Sequence, residues 1–246
     1  MKECAFCDHT GKLSNEHIVS QWLRKLFPGR VRAWYGESGT LKEFKADSMN
    51  WKAGVVCKNC NETWMSDIEN NHAKPVLTPL VTGQLGVPIG LKEAKSIALF
   101  AFKTAVVLDH ANRERGPFFS RRLRYAFKKH HSIPSFVQMW MCPYAEHRDG
   151  GHVTTIYHEG KTHTGYSFLM YVCTCAFGNL AFQVLAVKQI GNLTFRSLAP
   201  FKSNLAVPFW PGIPKNYIWP HGVALKSREE FRAFAYRWQS VEVLGE

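Results

Sequence analysis

The sequence predicts an α+β protein in two parts. Residues 1–80 read as a small unit of two strands and a helix stapled through cysteines; residues 81–246 read as a basic α+β part with a long core helix and an antiparallel sheet. Three observations carry this prediction. Cys4-x-x-Cys7 is answered by Cys57-x-x-Cys60; an apolar stripe at helical spacing runs from Leu91 to Asn112; and from Ser135 onward the texture turns to short alternating runs separated by turn residues.

The four cysteines have the spacing of a tetrahedral zinc site, because each Cys-x-x-Cys pair spans two corners of the tetrahedron through one tight turn. Cys4, Cys7, Cys57 and Cys60 are therefore expected to form one closed, structural Zn²⁺ site, the alternatives being two disulfides or four unrelated thiols. Four thiolates leave zinc no open position, so this ion holds backbone and does no chemistry. In small zinc modules such binding is worth on the order of 10–16 kcal/mol, so the segment should not fold without it.

Around the knuckles the elements follow in order. Lys12-Leu13-Ser14 leads into an Asn15-Glu16-His17 loop. Ser20 is placed to cap a helix from about Gln21 to Phe27, with Trp22, Leu23, Leu26 and Phe27 on one face and Pro28-Gly29 ending it. Arg30–Tyr35 and Leu41–Ala46 read as a hairpin, Val55-Val56 as a strand entering the second knuckle, and Asn61–Asn71 as a helix. Pro75 to Gly90, rich in Pro and Gly, reads as an ordered connector.

The second part opens with Leu91–Asn112, where Ala94, Ile97, Ala98, Ala101, Phe102, Ala105, Val106 and Asp109 recur every three or four residues. A helix from about Phe119 to His131 carries Arg121, Arg122, Arg124, Lys128 and Lys129. Arg121, Arg124 and Lys128 are expected on one basic face, able to lie along a phosphate backbone, and Leu123, Ala126 and Phe127 on a buried one. Strands are expected at Phe136–Met141, His152–Tyr157, Tyr166–Cys175 and Leu180–Val187, the last two joined at Phe177-Gly178-Asn179. Cys173 and Cys175 share a strand face and read as buried reduced thiols. Phe195 to Trp219 reads as irregular, and Ser227 caps a final helix reaching about Trp238.

Composition sets the class. With 46% hydrophobic residues a packed core is available, and no run approaches a membrane span. Met1-Lys2-Glu3-Cys4 leads straight into the first knuckle without a secretory leader, and the odd cysteine count suits a reducing compartment, so a cytoplasmic protein is expected. The net charge is +12, and residues 81–246 hold 20 of the 31 basic but only 10 of the 19 acidic side chains. A surplus of that size attracts polyanions by releasing phosphate counterions, so nucleic acid is the expected partner.

Between and after the knuckles stand Glu16-His17 and Asn61. A carboxylate, an imidazole and an amide around a second, harder cation make an apparatus for cutting a phosphodiester: His17 deprotonates water, while Glu16 and Asn61 present oxygens to Mg²⁺ or Mn²⁺. Glu69, two turns further along the same helix, is placed to face the same side.

At these residues the sequence resembles the HNH (ββα-metal) endonucleases, in the zinc-stapled branch with C-x-x-C, then D/E-H, then C-x-x-C-[HN]. The run from Cys60 to Glu69, followed by Ala73-Lys74-Pro75, is similar to bacterial proteins labelled HNH endonucleases from sequence, and Lys103-Thr104-Ala105-Val106-Val107-Leu108 extends the likeness. The resemblance implies a metal-dependent nuclease acting on DNA, with Glu16 and Asn61 as ligands of the catalytic ion and His17 as general base, and by association a role in defence against foreign DNA. The chain departs from the pattern at Ser20, where Pro is frequent, at Thr63, where Gly is common, and at the middle signature Asn, for which Asn50 stands slightly too far upstream. The alternative is a non-catalytic, zinc-dependent nucleic-acid-binding or sensing protein.

Overall fold

The structure, a computed structural model, describes residues 2–37, 40–46, 51–112, 115–145, 151–161, 165, 167–189 and 206–238; the side chains of residues 15, 16, 34, 36, 37, 40, 41, 43–46 and 189 also lie outside the description. The chain is mixed α+β, with a long helix and a largely antiparallel sheet. No helix among the described residues is long and apolar enough to cross a membrane.

Strand β1 (Ser14–His17) pairs antiparallel with β4 (Lys52–Val56), Glu16 opposite Ala53 and His17 opposite Lys52, with a bulge between Ser14 and Glu16. Asn15-Glu16-His17, expected as a loop, is thus strand. Helix α1 (Gln21–Leu26) follows β1, and Ser20 sits at its N-cap position without making the expected side-chain cap bond.

The hairpin of β2 (Val31–Glu37) and β3 (Thr40–Ala46) forms where the turn residues predict, but it does not pair with β1 or β4. It instead joins β7 (Gly151–Lys161) in parallel, Val31 opposite Gly151 through Glu37 opposite Tyr157. In this position Val31 and Ala33 are almost wholly covered.

After the second knuckle one unbroken helix, α2, spans residues 58–81. It contains two π-helical stretches, Asn61–Met65 and Ile68–Ala73, before ending as regular α-helix over Lys74–Val81. The expected connector from Pro75 is therefore helical for another two turns. Pro75 is tolerated because a proline clashes with the carbonyl four residues back, and the wide turns before it displace that carbonyl. Thr78 and Thr82 donate their hydroxyls to the carbonyls of Lys74 and Thr78, at 2.7 and 2.8 Å.

Helix α3 (Leu91–Ala111), entered from the short strand β5 (Val87–Pro88), is the hub: it packs on α2, on β4 and on one face of the large sheet. That sheet has the order β10-β6-β9-β8-β7-β2-β3, built from β6 (Val137–Pro143), β8 (Ser167–Phe177), β9 (Leu180–Gln189) and β10 (Val207–Trp210) beside the strands already given. Strand alternation sends Tyr171, Cys173, Cys175 and Phe177 toward α3. Met170, Val172 and Ala176 face the second core, under α5 (Arg228–Tyr236). The amide of buried Gln183 fastens that helix, donating to Thr174 Oγ1 at 2.9 Å and accepting from Trp238 Nε1 at 2.6 Å. Strand β11 (Ile218–Trp219) pairs with β5.

The turn between β8 and β9 docks on the end of α2. Asn179 donates its backbone N–H and its side-chain amide to the carbonyl of Val81, at 2.9 and 3.0 Å. Gly178 sits there with φ +54, and a Cβ on it would lie 2.3 Å from the Val81 oxygen and from the Phe27 ring. Only glycine fits this approach.

Candidate metal centre and adjoining cleft

The four cysteines predicted from their spacing converge. The sulfurs of Cys4, Cys7, Cys57 and Cys60 all lie within 4.8 Å of one another, with Cys7 3.6 Å from both Cys57 and Cys60. A tetrahedral ion with Zn–S near 2.3 Å requires edges of about 3.8 Å, so the cluster could hold a metal ion such as zinc. Backbone N–H groups point at the sulfurs, from Cys57 to Cys4 at 3.3 Å and from Phe6 to Cys4 and Cys60 to Cys57 at 3.5 Å. At Cys4 the side chain of Cys60, foremost, and the backbone donors of Cys57 and Phe6 hold the thiol well below its ordinary value.

Helix α4 (Arg121–His130) braces this centre. Arg124, expected on an exposed basic face, is instead buried: its Nε donates to the carbonyl of Ala5 at 2.7 Å and its Nη1 to that of Phe119. The reason is that the carbonyl of Ala5 in the first knuckle and that of Phe119 just before α4 converge here, and one guanidinium satisfies both. Arg121 is exposed but pairs with Asp8, whose carboxylate also accepts from Tyr125 at 3.0 Å. Burial pulls the Lys128 ammonium down, but the thiols of Cys60, Cys7 and Cys4 more than offset it and hold it above its ordinary value. Lys128 is thus a counter-charge for the sulfurs. Of the five basic residues singled out in the sequence, Arg122 and Lys129 are exposed and have no ion-pair partner among the described residues. Phe6, Trp64 and Phe127 meet edge to face between knuckle, α2 and α4, with centroids 5.0 and 5.6 Å apart.

Beside the centre opens a cleft of about 270 Å³, lined by His17, by Ser20, Gln21 and Trp22 of α1, and by Asn61, Glu62, Ser66, Glu69 and Asn70 of α2. His17 and Asn61, 44 positions apart in sequence, thus share one cavity. The four-cysteine closure explains this, since β1 runs from the first knuckle and α2 starts at the second. The side chain of Glu16 and all of Asn50 lie outside the described residues. In a regular α-helix residues eight apart are about 80° out of line. The π turns of α2 unwind much of that difference, which is how Glu69 joins Asn61 on the cleft wall.

Two features of this cleft escaped the sequence reading. Glu69 forms an ion pair with Lys103 of α3, whose side chain is 1% exposed. The sequence signal was a lysine inside an otherwise apolar run. Ser20 and Trp22 also line the cleft, and their hydroxyl and indole N–H are buried with no hydrogen-bond partner among the described residues. Among the described residues the four cysteines are the one group of three or more His, Cys, Asp or Glu ligands that come together.

No family model, curated protein or solved structure matches the chain.

Proposed function

We propose that this protein is a metal-dependent endonuclease that hydrolyses phosphodiester bonds in DNA. The observation that supports it most is the meeting of His17 and Asn61 in one cleft beside the four-cysteine cluster. The donors fall into two chemical sets. Thiolates suit zinc, whereas an amide oxygen and carboxylates suit a hard divalent cation such as Mg²⁺ or Mn²⁺, with Glu16 and Asn61 as its ligands. When bound, that ion supplies charge to offset what builds on the phosphate and leaving oxygens.

His17 acts as general base, its imidazole taking the proton of a water that attacks phosphorus. Asn61, at the start of α2, contributes an amide oxygen whose position is fixed by the knuckle one residue earlier. The four-cysteine zinc centre takes no part in the chemistry. The basic surplus of residues 81–246 attracts the DNA.

The test is nicking of supercoiled plasmid in Mg²⁺ or Mn²⁺ by wild type and His17→Ala, with zinc content and circular dichroism matched. Wild-type nicking that His17→Ala abolishes supports the nuclease. Equal behaviour of the two with retained DNA binding rejects it in favour of a zinc-dependent binding or sensing module.

A further inference from the structure

Lys103 lies in the middle of α3 between Phe102 and Thr104, with 1% of its side chain exposed, and its ammonium reaches Glu69 Oε1. A cation there surrenders its hydration, and such a pair, replaced by apolar residues of the same volume, usually leaves a protein as stable or more so. Stability alone does not account for it.

Glu69 is on the wall of the cleft that holds His17 and Asn61, and it is 14% exposed. Its Oε1 is tied to Lys103, while Oε2 has no hydrogen-bond partner among the described residues. Ser20 and Trp22 line the same cleft, and Ser20 Oγ and Trp22 Nε1 are buried with no hydrogen-bond partner among the described residues.

We propose that Lys103 is a positioning residue that pins Glu69 by one oxygen, so that the other reaches a divalent cation, or a water bound to it, beside His17 and Asn61. The inference rests on the nuclease reading and adds a carboxylate to it. Lys103 fixes the rotamer of a side chain that would otherwise sample several.

The test is Mn²⁺ binding to zinc-loaded, full-length protein, followed by water proton relaxation, for wild type, Glu69→Gln, Lys103→Arg, the double variant Lys103→Met/Glu69→Gln and His17→Ala. The double variant removes both charges together, so that no lone charge is left buried. We expect Glu69→Gln and the double variant to weaken Mn²⁺ binding at least about tenfold, the usual scale for losing such a supporting group. Lys103→Arg should restore most of the affinity, and His17→Ala should keep it while losing nicking. Unchanged Mn²⁺ affinity in both Glu69 variants would overturn the role of Glu69 and Lys103 and leave the nuclease reading standing. Absence of any exchangeable Mn²⁺ on the wild type would instead sink the nuclease reading, and this inference with it.

Discussion

Arg124 donates its Nε proton to the carbonyl of Ala5 at 2.7 Å, so a residue of α4 holds the backbone of the first knuckle 119 positions earlier in sequence. Because the guanidinium also bonds the carbonyl of Phe119, its loss strands two buried acceptors. Arg124→Met is expected to cost about 3 kcal/mol, the range for buried hydrogen bonds to a charged group. It should also speed release of zinc to a chelator, read with a colorimetric dye.

Gly178→Ala should be among the most damaging single changes outside the metal centre. The new Cβ meets the Val81 carbonyl and the Phe27 ring, and alanine pays for the left-handed backbone as well. A loss of about 3 kcal/mol is expected in urea unfolding. Gly86→Ala, where φ is +72 but a Cβ meets nothing within 4 Å, should lose only the backbone part, about 1 kcal/mol.

Asp109 accepts from the backbone N–H groups of Phe118 and Phe119, both at 2.9 Å, and from the hydroxyl of Tyr157. Burial pushes its carboxyl above the ordinary carboxylate range, more than these donors lower it. A folded-state value above the unfolded one means that the native state binds the proton more tightly. The associated stability is present at acid pH and is lost as pH rises from the ordinary value through the raised one. Asp109→Asn, which carries no such proton, should be less stable overall but lack that decline, as thermal midpoints across a pH series will reveal.

All seven cysteines are free thiols, and six are buried. Burial holds the Cys142 thiol up to about 12, and Cys173 and Cys175 lie inside the sheet facing α3. Zinc-loaded protein should therefore show no thiol reactive toward a disulfide reagent on the scale of minutes. A chelator should release four at first and denaturant the remaining three. Early reaction of Cys142 would contradict the packing.

Arg122 and Lys129 are the exposed cations of α4 with no ion pair among the described residues, whereas Arg124 is inside and Arg121 engaged by Asp8. Changing both to Gln should flatten the salt dependence of DNA affinity by up to about two units of log–log slope, near 0.9 per phosphate contact. Fluorescence anisotropy at several salt concentrations measures it.

The sequence was most legible where chemistry or period is local. The doubled Cys-x-x-Cys located the metal centre, and the three- and four-residue recurrence from Ala94 to Asp109 located α3 within a residue. The hairpin at residues 31–46 was legible as a hairpin, but its partner was not, since parallel pairing with β7 depends on contacts more than a hundred positions away. The basic stripe of α4 failed for a similar reason: periodicity assigns Arg124 to a face, and only the packed knuckle decides whether that face meets water or carbonyls. Lys103 stood out in the sequence only as a lysine inside an apolar run; that it reaches Glu69 depends on how α3 packs on α2.

The parallel seam between β2 and β7 also dictates an order of assembly. During synthesis residues 31–46 leave the ribosome long before residues 151–161 exist, and a two-stranded ribbon by itself is barely stable in water. Were the four cysteines to take up a metal early, the loop from Cys7 to Cys57 that encloses this ribbon would be closed while the ribbon waits, a holding clamp on the nascent chain. A chain starved of zinc would meanwhile expose a strand edge open to pairing with its neighbours.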